Sequence, residues 1–144
     1  MNLKTPSKTV FYTIDKTIKN YRKFSQKNIS KVVNDITIDQ KLILHYLNDY
    51  PELNQKEIAE LVFKDNASMT RMINIMVKKN YLNRSMNDED RRRYNLEITD
   101  KGKEVLVKLP PVIMNNRKKA LKGITKKEII QLEKTLNKIL SNLK

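Results

Sequence analysis

The sequence predicts a mainly helical α+β protein, in which a helix-turn-helix is followed by a two-stranded wing. Only two glycines and four prolines in 144 residues favour helices. Two short helical patterns follow one another after Asn54, each preceded by capping residues. Two alternating segments, residues 81–86 and 94–98, then flank a polar tip, as a β-hairpin requires. Helices on either side are predicted to position this unit.

Residues 9–29 are predicted to form one long helix with a single apolar stripe. The stripe consists of Val10, Phe11, Ile14, Ile18, Tyr21 and Phe24. Because this helix precedes the compact core, the stripe needs a cover. A second chain and the C-terminal helices are the candidates.

Thr37 and Gln40 have the spacing of a capping box and predict a helix to about Asp49, where Pro51 ends it. The residues expected to face inward are Ile38, Leu42, Ile43, Tyr46 and Leu47. His45 lies one step off this stripe. It is therefore expected on the helix surface or at the core edge, with a ligand or metal role as the alternative.

Asn54 and Glu57 predict the cap of the first helix of the helix-turn-helix, residues 55–63. Its inward residues are expected to be Ile58, Leu61 and Val62, and the small Ala59 suits a close approach of two helices. Residues 64–66 make the turn and offer caps for the next helix.

A second helix is predicted over residues 67–79, and at about 100° per residue its faces separate cleanly. One side is apolar and typical of core packing: Met69, Met72, Ile73, Met76 and Val77. The other side has no acid and carries Thr70, Arg71, Asn74 and Lys78. Such side chains can read base edges and contact phosphates, so this face is predicted to recognise DNA rather than only to be solvated.

The wing is predicted to combine strands at residues 81–86 and 94–98 with a charged tip. Alternation places Leu96 and Ile98 on the buried side. Three acids, residues 88–90, adjoin the three arginines at residues 91–93. Asp90 can hold one guanidinium by a bidentate pair, and an arginine aimed in this way suits a narrow minor groove. A hairpin whose charges only maintain solubility is the alternative.

The C-terminal part is predicted to be helical from Thr99 onward. At Pro110 and Pro111 the helix either kinks or gives way to a second helix that begins with proline. The last helix begins with a capping box at Thr125, and its apolar stripe continues to the end of the chain. An apolar stripe of that length would remain uncovered in a monomer, so the first and last helices are predicted to form a homodimer. Residues 1–35 and 101–144 are thus expected to be dimerisation helices around a DNA-binding lobe at residues 36–100.

The net charge of +14 predicts a polyanionic partner. Residues 55–100 contain nine basic and eight acidic side chains, whereas residues 101–144 contain twelve basic and three acidic ones. The predicted DNA-binding segment at residues 55–100 must therefore act by the placement of its charges. The C-terminal excess either attracts DNA in general or simply solvates the helices.

Several function classes lack the residues they need. The chain has no cysteine for a disulfide, a thiolate nucleophile or a redox sensor, and its single histidine gives metal or general-base chemistry little to use. It has no glycine-rich phosphate loop and no nucleophile-base arrangement. We expect no enzyme activity, cofactor or metal, and a soluble cytoplasmic protein without a membrane partner.

Three hypotheses remain for the function. The leading one is a dimeric, sequence-specific regulator whose two recognition helices enter successive major grooves. The second is a basic nucleoid-associated or architectural protein with little sequence preference, which the basic C-terminal part suggests and the mostly uncharged helix face opposes. The third, an adaptor that binds proteins through a winged-helix scaffold, predicts no DNA binding.

Two segments resemble the MarR family of bacterial transcriptional regulators. Residues 68–74 and 79–84 resemble its recognition helix and the exit into the wing. Asp90-Arg91-Arg92 with residues 96–102 matches its Asp-x-Arg wing followed by a hydrophobic-x-hydrophobic-Thr-x-x-Gly strand end.

The resemblance implies a homodimer of winged lobes joined by interleaved terminal helices, bound to double-stranded DNA at a pseudo-palindromic operator. It implies a repressor relieved by a small molecule, such as an aromatic or phenolic effector between lobe and dimer domain. Arg92 then enters the minor groove and Asp90 orients it. The candidate DNA-contacting residues are Asn66, Ser68, Thr70, Arg71, Asn74, Lys78, Arg91, Arg92 and Arg93.

The chain departs from the family pattern in two ways. Without cysteine it cannot use the peroxide-sensing thiol of some members, and a single histidine argues against their zinc-sensing branch. The double proline falls where relatives often have a continuous helix.

Overall fold

The computed structural model describes residues 5–90 and 94–144. Within them, the chain forms helices and a single two-stranded sheet, which confirms the predicted mainly helical winged helix-turn-helix. After a 3₁₀ turn at Pro6–Lys8, the elements are α1 Val10–Ser30, α2 Ile38–Asp49, α3 Gln55–Leu61, α4 Asn66–Lys78, β1 Leu82–Met86, β2 Tyr94–Ile98, α5 Asp100–Lys108, α6 Pro110–Ala120 and α7 Lys126–Asn142. No helix of the described part has the length and apolarity to cross a bilayer.

Side-chain caps fix the helix starts that the sequence predicts. Thr37, Asn54 and Thr125 each form a full capping box. In the box of α3, Asn54 Oδ1 accepts the Glu57 amide at 2.9 Å, and Glu57 Oε1 accepts the Asn54 amide at 3.2 Å. Each box supplies partners for amides that a helix N-terminus otherwise leaves unpaired.

The core lies between the end of α1, α2, the helix-turn-helix, the base of the wing and α5. Its fully buried side chains include Ile43, Leu44, Ile58, Met69, Ile73, Met76, Tyr81, Leu82 and Leu109. The sequence prediction missed Leu44. It was wrong for Leu61, which is 40% exposed. Ile58, Ala59 and Val62 share one face of α3, and Leu61 lies about 110° from the centre of that face at 100° per residue.

Helix α3 ends in a Schellman motif with an unusual residue. The Phe63 amide donates to the Glu60 carbonyl at 3.3 Å, and the Lys64 amide donates to the Ala59 carbonyl at 2.9 Å. Phe63 has a φ of 58°, the left-handed conformation in which glycine is usual. Helix α4 ends in the same way, but there Asn80 takes the left-handed position with a φ of 66°. Asparagine tolerates this conformation better than phenylalanine does.

Replacing Phe63 with glycine is therefore expected to stabilise the protein. The side chain is 93% exposed, so little packing is lost, and relief of the left-handed strain should add about 1 kcal/mol to the free energy of unfolding. Urea denaturation measures the change. Asn80→Gly is the matched control and should change stability by only a few tenths of a kcal/mol. A lower stability of Phe63→Gly would contradict this account of the turn.

The wing consists of two antiparallel strands, and its buried residues lie at the end nearest the helices. Leu82 pairs with Ile98, Arg84 with Leu96, and Met86 with Tyr94. Leu82 and Leu96 are buried and Ile98 is half-buried, which confirms the predicted parity of the second strand. The first strand begins at Leu82, one residue later than predicted, because the Tyr81 amide still bonds to the Met76 carbonyl at 2.9 Å.

The double proline starts a new helix, the second of the two predicted alternatives. Leu109 keeps helical backbone angles and is fully buried, and Pro110 and Pro111 occupy the first turn of α6. The Ile113 amide donates to the Leu109 carbonyl at 3.0 Å, so the backbone passes from α5 to α6 without a loop. Proline is tolerated there because first-turn amides have no partner within the helix.

Candidate nucleic-acid interface

Helix α4 presents the two faces that the sequence predicts. Met69, Ile73 and Met76 are fully buried beneath it. The side chains that are exposed on its outer side are Asn66, Thr70, Arg71, Asn74 and Lys78, and Ser68 is half-buried at the edge. The structure thus leaves Thr70, Arg71, Asn74 and Lys78 accessible on one face of the helix, with Asn66 and Ser68 at its N-terminal end. Ile75, also partly exposed, borders this face.

Hydrogen bonds hold the N-terminal half of this surface in place. Gln55 Nε2 at the start of α3 donates to Thr70 Oγ1 at 2.8 Å, and Thr70 Oγ1 donates to the Asn66 carbonyl at 2.9 Å. An Arg71 guanidinium nitrogen donates to Ser68 Oγ at 3.1 Å. Sequence reasoning missed Gln55, although glutamine at the first position of α3 was the available signal. These bonds orient the hydroxyl and the guanidinium before any ligand arrives.

Asp65 caps α4 through its Oδ1 atom, which accepts the Ser68 amide at 2.7 Å. Hydrogen bonds from the Ser68 backbone and side chain, assisted by nearby Arg71, lower the pKa of the exposed Asp65 carboxyl. Its negative charge stabilises the helix N-terminus. It also places one acid at the edge of a surface that otherwise has none.

The tip of the wing is organised by Asn87. Its Oδ1 accepts the amides of Glu89 and Asp90 at 2.9 and 3.2 Å, and its Nδ2 donates to Asn95 Oδ1 at 3.1 Å. Arg91, Arg92 and Arg93 lie outside the described residues. The expected pair between Asp90 and an arginine therefore stays a prediction.

A network centred on Tyr81 fixes the exit from α4, and no pattern in the sequence predicted it. The Tyr81 hydroxyl donates to the Asp35 carboxylate in the loop after α1. Lys79 Nζ donates to the Asp35 carbonyl at 2.7 Å, and Lys101 Nζ donates to the Lys79 carbonyl at 2.8 Å. Lys101 Nζ also lies 3.6 Å from Asp35 Oδ2 and 4.4 Å from the centre of the Tyr81 ring. Three segments distant in sequence thus meet where α4 passes into the wing.

Electrostatics in this network favour an ionised Asp35 and a neutral Tyr81. The hydrogen bond from Tyr81 lowers the pKa of Asp35, against the opposing effect of burial and with help from Lys101 and Lys79. Burial and the bond to Asp35 raise the pKa of Tyr81. At neutral pH the network therefore has one carboxylate between two ammonium groups and a phenol.

Replacing Tyr81 with phenylalanine should reduce the free energy of unfolding by about 1 kcal/mol at pH 7, since the bond is charge-assisted but Asp35 is partly exposed. Because the pKa of Asp35 is lowered by folding, its stabilisation is present above its unfolded pKa of about 4 and is lost as the pH falls through the folded pKa. The difference between wild type and Tyr81→Phe should therefore shrink below pH 4. Chemical denaturation at pH 7 and pH 3 tests this, with exposed Tyr50→Phe as the control. An equal difference at both pH values would contradict the role of Asp35.

A second polar cluster lies where α2 faces α1 and α6. Lys41 is only 7% exposed, and burial together with Arg117 and Arg22 lowers its pKa. His45 is half-buried, as expected for a core-edge residue, and burial, assisted by Lys41, lowers its pKa. Asn28 Nδ2 donates to Asn116 Oδ1 at 2.8 Å. Within the described residues, His45 Nε2 and Asn116 Nδ2 are buried without a hydrogen-bond partner.

The fold and the exposed face of α4 define the class of protein as a winged helix-turn-helix. Residues 36–94 match the model of the MarR family. This part of the chain is thus similar to the family, as the resemblance of its recognition helix and wing predicted.

Curated relatives are similar to the same part of the chain. The HTH-type transcriptional regulator SarZ of Staphylococcus epidermidis is 30% identical over 87 residues, which cover 56% of this chain and 59% of SarZ. The uncharacterized HTH-type transcriptional regulator YwaE of Bacillus subtilis is 32% identical over 101 residues, covering 70% of this chain and 59% of YwaE. The chain thus spans less than two thirds of the length of these relatives. They are named as regulators and not as enzymes.

Solved structures share the fold. MepR of Staphylococcus aureus, in a complex with DNA, has a TM-score of 0.84 at 20% identity, with 93% of this chain and 98% of MepR covered. The PcaV transcriptional regulator of Streptomyces coelicolor, in complex with its natural ligand, has a TM-score of 0.82 at 18% identity, with 97% and 98% covered.

Proposed function

We propose that this protein is a dimeric transcriptional regulator that binds a pseudo-palindromic operator. Helix α4 enters the major groove, where Thr70, Arg71 and Asn74 face the bases. The observation that carries the proposal is the exposed face of α4, on which Gln55 orients Thr70 and Ser68 orients Arg71. Such groups suit base edges, which present donors and acceptors in fixed patterns. The regulatory names of SarZ and YwaE support the same reading.

The remaining contacts divide between phosphates and the minor groove. Lys78 at the end of α4 contacts the backbone, and Asn66 and Ser68 lie at the helix N-terminus, where amides favour phosphate. Arg92 enters the minor groove with Asp90 as its orienting partner, and Arg91 and Arg93 contribute charge. The MepR complex with DNA supports this use of the fold.

The dimer is built from α1 and α7. Both helices, with Leu143 directly after α7, leave large apolar side chains uncovered in the single chain: Val10, Phe11, Ile18, Ile130, Leu132, Leu140 and Leu143. Apolar surface of this extent is usually covered by a partner. Residues 1–35 and 101–144 then act as the dimerisation part and residues 36–100 as the DNA-binding lobe.

The regulator acts in the cytoplasm as a repressor that a small aromatic or phenolic effector releases. The effector binds at the junction of lobe and dimer domain, where an open groove of about 360 Å³ is lined by Asp35, Tyr81, Lys101 and Lys108. PcaV, solved with its natural ligand, supports a ligand-responsive role. An effector acts only if it binds the released form more tightly than the DNA-bound form.

The decisive experiment compares binding to the operator with binding to random DNA. Footprinting on the upstream region of the gene supplies the operator, and wild type should prefer it by about a thousandfold or more. Thr70→Ala and Asn74→Ala should each reduce that preference by about 1–3 kcal/mol. Lys78→Ala should instead weaken both complexes equally.

Two outcomes would contradict the proposal. Equal affinity for operator and random DNA would favour the architectural alternative, which the basic C-terminal part suggests. A uniform loss of affinity in Thr70→Ala and Asn74→Ala would rule out direct base readout by α4.

A further inference from the structure

The hydroxyl group of Thr70 has little hydrogen-bonding capacity left for a ligand. A hydroxyl has one proton to donate and two lone pairs that accept. Thr70 Oγ1 donates its proton to the Asn66 carbonyl at 2.9 Å, and it accepts a hydrogen bond from Gln55 Nε2 at 2.8 Å. Only one lone pair remains. Because the side chain is nonetheless exposed, the group that it can still offer to a partner in full is its methyl group.

Ile75 adds a second apolar group to the exposed side of α4. Its side chain is 45% exposed. The residues four before and three after a helical position are its surface neighbours, and here they are the exposed cations Arg71 and Lys78. A single exposed isoleucine is ordinary on a protein surface. Phosphates that contact these two cations would cover this one, so its surroundings favour DNA as the partner.

These two apolar groups flank a small residue at the centre of the exposed face. At about 100° per residue, Thr70 lies about 60° to one side of Ala67 and Ile75 about 80° to the other. Ala67 is exposed, and its short side chain allows the helix to approach the floor of a groove closely. Across an A·T pair, the major groove presents N7, the N6 amino group, O4 and then the C5-methyl group of thymine. The methyl group is the outermost of these, so side chains at the margins of the helix face are placed to meet it.

We propose that Thr70 and Ile75 determine the operator sequence by packing their methyl groups against the C5-methyl groups of thymines in each half-site. Cytosine has no such group, so the contact distinguishes the two pyrimidines. Hydrogen bonds to bases are left to Arg71 and Asn74. This inference rests on the proposed function and deepens it, because it names the base that α4 selects and the atoms that select it.

The test compares the operator with copies in which thymine is replaced by uracil, one symmetric pair of positions at a time. Uracil pairs with adenine through the same atoms and lacks only the C5-methyl group. The measured quantity is the methyl dependence, which is the ratio of the affinities of the full-length protein for the thymine and uracil forms. Burial of one methyl group is worth about fourfold in affinity, so wild type should show a methyl dependence of about fourfold or more at two positions of each half-site. Thymines outside the half-sites are the control and should show none.

Matched variants assign each position to a side chain. Thr70→Ser keeps the hydroxyl and loses the methyl group, whereas Thr70→Val keeps the methyl group and loses the hydroxyl. Ile75→Gln and Ile75→Met have similar length, and only the methionine remains apolar. Thr70→Ser should abolish the methyl dependence at one position and Ile75→Gln at the other, whereas Thr70→Val and Ile75→Met should retain it. Because the ratio compares two DNAs for one protein, a general loss of affinity or stability in a variant cancels.

Three outcomes would overturn the inference. Loss of the methyl dependence in Thr70→Val but not in Thr70→Ser would show that the remaining lone pair of the hydroxyl, and not the methyl group, meets the base. A wild type that prefers its operator without any methyl dependence, or with one that survives Thr70→Ser and Ile75→Gln, overturns this inference and leaves the proposed function intact. Equal affinity of wild type for operator and random DNA overturns the proposed function and this inference with it.

Discussion

Replacing Gly102 with alanine should lower the free energy of unfolding by about 2–3 kcal/mol, the largest single effect on stability that we expect. A Cβ atom at this position would lie 2.6 Å from the Tyr81 carbonyl oxygen and 2.7 Å from Ile98 Cγ2, with Leu44 Cδ2 at 3.3 Å. The carbonyl belongs to the backbone and already accepts the Thr99 amide at 3.1 Å, so it cannot move without breaking that bond. Overpacking of this kind typically costs 1–3 kcal/mol. Guanidinium or urea denaturation measures it.

The second glycine provides the control for this prediction. Gly123 has a φ of 80° and open space where its Cβ would be. Gly123→Ala is therefore strained by its backbone alone and should cost about 1 kcal/mol. Equal costs at the two positions would mean that the close approach of α5 to Tyr81 does not limit residue 102.

Replacing Arg92 with alanine should weaken operator binding by about tenfold or more, the largest loss of affinity that we expect from one side chain. An arginine in a narrow minor groove combines its charge with the enhanced negative potential of that groove. Its loss should also lower the slope of log affinity against log salt by about one unit. Titrations at several salt concentrations measure both quantities.

Arg92→Lys separates the two contributions. Lysine retains the charge but lacks the planar guanidinium, so Asp90 cannot hold it by a bidentate pair. We expect this variant to keep the salt slope and to lose part of the affinity. Unchanged operator affinity in Arg92→Ala would contradict the proposal that the wing contacts DNA through this residue.

Local patterns in the sequence were sufficient to predict most of the fold. Capping residues such as Thr37, Asn54 and Thr125 act within four residues, so their bonds can be anticipated from spacing alone. The two faces of α4 and the parity of Leu96 and Ile98 also depend only on the local period. The prediction failed for Leu61 because three apolar positions on the short α3 allow more than one inward face. Packing decides between these faces.

Contacts between distant segments were not predictable. Nothing in the spacing of Asp35, Tyr81 and Lys101 indicates that they meet, because the tertiary arrangement of α1, α4 and α5 brings them together. The left-handed backbone conformation of Phe63 could not be predicted from the sequence for a different reason. Such a turn is predicted from glycine or asparagine at the left-handed position, and a phenylalanine there does not indicate it.

The Tyr81 network also determines how the protein can be divided. Asp35 and Lys101 each lie one residue outside the DNA-binding lobe that we propose at residues 36–100, and Gly102 follows directly. A fragment cut at those limits would keep α4 and the wing but lose both charged partners of Tyr81 and the close packing of α5 beneath it. The proposed DNA-binding lobe is therefore not expected to fold as an independent unit, and a shortened protein that keeps the Tyr81 network must retain the loop after α1 and the first turns of α5.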